Sequence, residues 1–121
     1  MLIGDLSRVS GVAPRLLRYY EEQELLVPGR DAKGYRTYGA DAPARVARIR
    51  ELLAAGMSTE DSRGLLPCMS DPTRWVLPCD ESLDIVEQRY AELGSKIAEL
   101  TRQRALLEVQ RDAIRDWLDR E

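Results

Sequence analysis

The chain has 121 residues, 44% hydrophobic and 32% charged, which is enough for one domain and an appendage. No apolar run approaches the roughly 18 residues that a membrane span needs, and Met1 leads straight into helical pattern without a signal peptide's basic and apolar regions. The expected compartment is therefore the cytoplasm, with no membrane partner. With no His and no glycine-rich phosphate loop, the sequence nominates no active site, and the expectation is not an enzyme.

The net charge of −3 argues against nucleic acid if taken alone, but the charge is uneven. Residues 1–56 hold nine Lys/Arg against seven Asp/Glu, while residues 57–121 hold nine against fourteen. The acidic excess thus lies outside the amino-terminal half. A weakly basic head must lean on a few placed contacts and on pairing of two copies.

The first helix is expected over about Ile3 to Ser10, with Ile3, Leu6 and Val9 as one buried stripe. Gly11 ends it, because glycine takes a left-handed position without steric cost. Val12 is the expected buried residue of the turn. A second helix is expected over about Pro14 to Gln23, with Pro14 at the first helical position and Ala13 as a poor cap. Leu16, Leu17 and Tyr20 are expected to face inward. Arg15, Arg18, Tyr19 and Glu22 fall at i, i+3, i+4 and i+7, one outward stripe suited to phosphates and base edges.

Leu25, Leu26 and Val27 form an apolar run closed by Pro28. A basic hairpin follows, turning at Gly34, with Arg30, Lys33 and Arg36 as its cations. In the strand after the turn, Tyr35 and Thr37 share one face, and Arg36 and Tyr38 share the other. Helix, glycine turn, basic helix and basic wing, in that order, place a helix in a DNA groove and a loop beside it.

A third helix is expected over about Ala40 to Ala55, with Val46, Ile49, Leu52 and Leu53 inward. A fourth opens on the Ser58/Asp61 capping pattern and ends near Leu66 at Pro67. Residues 1–66 then form a winged helix-turn-helix head and residues 67–79 a connecting loop with two cysteines.

Residues 80–121 form a long dimerisation helix. Leu83, Val86, Tyr90, Leu93, Ile97 and Leu100 alternate by three and four as a heptad seam, and Leu107 restores it after Arg104, before Arg111 breaks it again. Leu106, Val109, Ala113 and Trp117 offer a second, rotated stripe, so a coiled coil is expected to about Leu107 and different packing beyond. Gly94 within the seam region costs about 1 kcal/mol relative to Ala and marks a close crossing or a bend. Such an arm must bury its seam against another chain. The fold class is all-α with a small β wing.

Ile3-Gly4, Ser10-Gly11-Val12, Leu17-Arg18-Tyr19-Tyr20-Glu21, Leu25-Leu26 and Gly34-Tyr35-Arg36-Thr37-Tyr38 resemble the MerR family of bacterial transcription regulators. The likeness covers Leu2 to about Leu66, and the long helix is similar to the family's dimerisation helix. The resemblance implies a homodimer joined by an antiparallel coiled coil. It implies binding to double-stranded promoter DNA between the elements that RNA polymerase recognises, and an activated form that bends and untwists that spacer. Arg15 matches a base- or backbone-contacting position of the recognition helix. Arg18, Tyr19, Arg36 and Tyr38 match phosphate-contacting or supporting positions. Ala13 departs from the hydroxyl cap that members often carry, and Gly39 to Pro43 cap the third helix weakly.

The chain resembles the short type without a large effector domain. It has no cysteine pair after the long helix, as copper- and zinc-type sensors have, and two cysteines rather than the four of an iron–sulfur member. Cys68 and Cys79 each follow a Pro, and Cys79 lies near the position at which mercury-type members place a ligand. Three readings stay open: packing thiols, a reversible disulfide or thiol sensor, and a soft-metal site within or between chains. Trp75, with Met69, Tyr90 and Trp117, could instead line a pocket for a small-molecule inducer. A soft metal ion, a thiol oxidant and a small molecule are therefore all candidate effectors. The rival functions are an effector-independent architectural DNA-binding protein and a coiled-coil module without DNA binding, against which Arg18, Tyr19 and Arg36 argue.

Overall fold

The structure is a computed structural model that describes residues 1–66 and 80–120. The order is α1 (Ile3–Ser10), α2 (Pro14–Glu22), β1 (Gly29–Arg30), β2 (Arg36–Thr37), α3 (Ala42–Ala54), α4 (Thr59–Leu65) and α5 (Asp80–Asp119). The chain divides into two compact units, Met1–Ile85 and Val86–Glu121. The first turns of α5 thus belong with the head.

Each head element starts or stops for a local reason. The Asp5 carboxylate accepts the Leu2 N–H at 3.1 Å and offsets the open amides of α1. Gly11, at φ 73°, closes the helix by donating to Ser7 O at 2.9 Å. Ala13 caps α2 with no side-chain bond, and Pro14 follows it as expected. Ser58 Oγ accepts the Asp61 N–H at 3.0 Å at the start of α4, so the Ser-x-x-Asp pattern is a working cap.

The core joins α1, α2, α3 and the apolar run before the wing. Leu6, Leu17, Leu25, Leu26, Val46 and Ile49 are all but sealed from solvent, and Val12, Tyr20 and Tyr38 close around them. A fully buried Leu or Ile contributes about 1.5–3 kcal/mol by leaving water. Leu52 and Leu53 pack partly buried against this cluster. Two inward expectations are corrected. Val9 is 58% exposed and Leu16 is 41% exposed, because short helices have room for one buried stripe and Leu6 and Leu17 fill it. Val27, at the end of its apolar run, also stands in solvent.

The wing is a two-stranded antiparallel ladder, pairing Gly29 with Thr37 and Arg30 with Arg36. Its tip is built by Asp31, whose Oδ1 accepts the N–H groups of Lys33 and Tyr35, both at 2.9 Å. Gly34 supplies the left-handed turn, at φ 83°. The chain start forms a further rung beside the wing: the Met1 ammonium donates to Tyr38 O at 2.8 Å and Met1 O accepts the Tyr38 N–H at 2.7 Å.

The bend between α2 and the wing is clamped from the other side. Glu24 takes a left-handed conformation at φ 59°. Arg63 of α4 donates to Gln23 O at 2.6 Å, and Arg45 of α3 donates to Leu25 O at 2.9 Å. Cations on carbonyls at a helix end also favour the helix dipole. Gly64 of α4 faces the start of α5, where a β-carbon would sit 3.6 Å from Ile85 Cδ1.

Candidate nucleic-acid interface

Arg15, Arg18, Tyr19 and Glu22 are all exposed on one stripe of α2, with Leu16 beside them. A groove of about 620 Å³ runs between the amino-terminal end of α1, α2 and the wing. Arg18 from α2, Arg30, Tyr35 and Arg36 from the wing, and Gly4 and Asp5 from α1 line it. Arg18, Arg30 and Arg36 thus meet on one concave surface. Arg15, Tyr19 and Lys33 are exposed outside it. One terminal nitrogen of Arg30 donates to Gly34 O at 3.2 Å, which steadies the guanidinium on the wing turn.

Of the residues given phosphate-contacting or supporting positions, Tyr38 lies buried. It is 5% exposed, its ring lies in the core and its hydroxyl donates to Glu21 Oε1. Burial, reinforced by that bond, pushes the Tyr38 phenol well above its ordinary pKa. Burial also pushes Tyr20 up.

The sequence reading missed Glu21. Its Oε2 accepts Arg36 Nε at 2.8 Å, while its Oε1 takes the Tyr38 hydroxyl. Arg36 and Tyr38 therefore do share a strand face, as the alternation implied. A usable signal was present, because Glu21 lies four residues after the core Leu17 and a carboxylate on that face needs a partner. The α2–wing clamps of Arg45 and Arg63 left no such signal.

The arm is one helix of 40 residues, about 60 Å at 1.5 Å per residue. Leu83, Val86, Tyr90, Leu93, Ile97, Leu100 and Leu107 share the heptad phase and are all exposed in the single chain. The helix continues without interruption, so the same phase passes through Arg104 and Arg111 to the exposed Ile114 and Leu118. Gly94 has open space where a β-carbon would sit. Cys68, Trp75, Cys79 and Met69 lie outside the described residues. Among the described residues no group of three or more Cys, Asp or Glu is placed to hold a metal.

A glycine-turned helix pair, a basic wing beside the second helix and a long apolar-striped helix define a winged helix-turn-helix transcription regulator. Residues 1–67 match the model of the MerR HTH family regulatory protein, and residues 44–109 match that of the MerR DNA-binding family. The chain belongs to the MerR family. It is similar to the HTH-type transcriptional regulator ZntR of Escherichia coli K12, 35% identical over 112 residues that cover 92% of this chain and 78% of the relative. It is also similar to the transcription regulator PbrR691 of Ralstonia metallidurans, whose structure holds lead(II), with TM-score 0.72, 29% identity and coverage of 92% of this chain and 86% of that one. The regulator HiNmlR, solved on promoter DNA and lacking its sensor domain, aligns with TM-score 0.57 at 26% identity, covering 84% and 76%. The chain is thus a sequence-specific DNA-binding transcription regulator of the MerR type, mostly helical with a small β wing.

Proposed function

We propose that two copies of this chain pair through α5 as an antiparallel coiled coil, and that the dimer bends and untwists promoter DNA in response to an effector. The observation that carries this reading is the convergence of Arg18, Arg30 and Arg36 on one groove in a chain of net charge −3. Arg15 and Tyr19 on the neighbouring stripe read base edges and backbone, with Lys33 at the wing tip. Leu83 to Leu107 form the seam between copies. RNA polymerase acts on the distorted promoter in the cytoplasm, and the protein itself performs no chemistry. No described helix is long and apolar enough to cross a membrane.

The effector reaches the connection between α4 and α5, where the sequence puts Cys68 and Cys79. Two thiols without histidine fit a two-coordinate soft ion and equally a reversible disulfide. A soft ion would bridge the two thiolates with release of their protons, and a two-electron oxidant would take up the two electrons and two protons lost as the two thiols join in a sulfur–sulfur bond. Either one restrains the stretch that joins the head's last helix to the arm. The presence of lead(II) in PbrR691 supports the ion. The test is transcription in vitro from a promoter the protein binds, with soft metal salts, thiol oxidants and hydrophobic small molecules added in turn. Metal or oxidant is expected to change output with the DNA still bound. Output that no addition changes would favour an architectural protein instead.

A further inference from the structure

Glu21 is an acid in direct contact with a cation of the wing, through Arg36 Nε at 2.8 Å. A carboxylate close to a phosphate-binding surface repels its ligand, so Glu21 needs an offsetting role. It stands on α2 with a side chain only 12% exposed. Both oxygens are taken by β2 or the residue after it, through Arg36 Nε and the Tyr38 hydroxyl. The wing is a two-residue ladder, and a hairpin of that size does not hold its own orientation in water. Its position relative to α2 rests on the Tyr38 ring, the Met1 rung and Glu21 on one side and on the Arg45 and Arg63 clamps on the other. By accepting from Nε, Glu21 fixes the guanidinium plane and leaves the terminal amino groups of Arg36 for another acceptor.

We infer that Glu21 is a positioning residue for DNA recognition, which sets Arg36 on the wing at a fixed distance from Arg18 so that both meet the phosphate backbone together. The inference rests on Arg36 being a phosphate contact. Charge alone predicts the opposite effect, since removing an acid beside the groove lowers repulsion.

The experiment measures operator affinity against salt for the full-length wild type, Glu21→Ala, Arg36→Met and the double variant, with thermal unfolding of each. Glu21→Ala is expected to weaken binding by about tenfold and to lower the salt slope, despite its added net positive charge. It should add little once Arg36 is already Met. Glu21→Gln, which keeps an acceptor for Nε, should recover part of the loss. Tyr38→Phe keeps the ring in the core and removes one donor, so it should give a smaller loss that also depends on Arg36. Binding by Glu21→Ala that is unchanged or tighter overturns the inference, as does a loss that adds fully to that of Arg36→Met and follows the melting temperature. Arg36→Met with wild-type affinity overturns the phosphate contact itself, and the positioning role with it.

Discussion

Arg18 is the cation that links the two halves of the proposed interface, because it stands on α2 and lines the groove whose other arginines come from the wing. Arg18→Ala removes one exposed charge from each head, hence two from each dimer. Each phosphate contact contributes about 0.9 to the slope of log affinity against log salt, so the dimer should lose about 1.8 units of slope. Over a fourfold rise in salt the variant should therefore lose about twelvefold less affinity than wild type loses. Random and operator DNA should be affected alike, since a phosphate contact carries no sequence information. Arg15→Ala, on the same stripe but outside the groove, should instead narrow the ratio between operator and random DNA. Fluorescence anisotropy over a salt series on both DNAs reads all of these quantities. An unchanged slope for Arg18→Ala would refute the placement of α2 against the backbone.

Leu93→Asp puts a charge into the proposed seam at a cost of several kcal/mol; sedimentation should find a monomer with poor operator binding, and a dimer persisting at micromolar concentration would place the interface elsewhere. Tyr38 and Tyr20 both have raised pKa values in the folded chain, so the neutral phenol is favoured there while unfolded tyrosine titrates at about 10. The stability they contribute is present below that pH and is lost as pH rises above it. Urea midpoints between about pH 9 and pH 11 should fall for wild type and fall less for Tyr38→Phe, and parallel curves would count against the assignment. Cys79→Ser should keep operator affinity within a few-fold and abolish the response to metal or oxidant, whereas a full response in both Cys79→Ser and Cys68→Ser would hand the effector role to an organic ligand.

The head was legible wherever one local force decided the outcome. Gly11, Pro14, Ser58 and Gly34 each act within a few residues, and each does in the structure what its chemistry implied. Periodicity found Leu6, Leu17, Val46 and Ile49 but overfilled the stripes with Val9 and Leu16, since spacing alone does not say how wide a buried face a short helix has. Bonds that cross elements were out of reach. Glu21 to Arg36 spans 15 positions and Arg63 to Gln23 spans 40, so their partners become neighbours only after the chain has folded. In the arm, Ile114 and Leu118 lie in the same heptad phase beyond Arg104 and Arg111, where the sequence expectation placed different packing.

The pairing of Met1 with Tyr38 has a practical bearing on how this protein is handled. Both the amino group and the carbonyl of the first residue are used at the edge of the wing. A purification tag fused ahead of Met1 would turn the ammonium into a neutral amide and would leave the fold beside the groove proposed to face DNA, whose lining begins at Leu2. Even a few residues left after cleavage would hang beside the groove proposed to take the phosphates. Affinities measured on such material would report the competition between peptide and DNA for one surface.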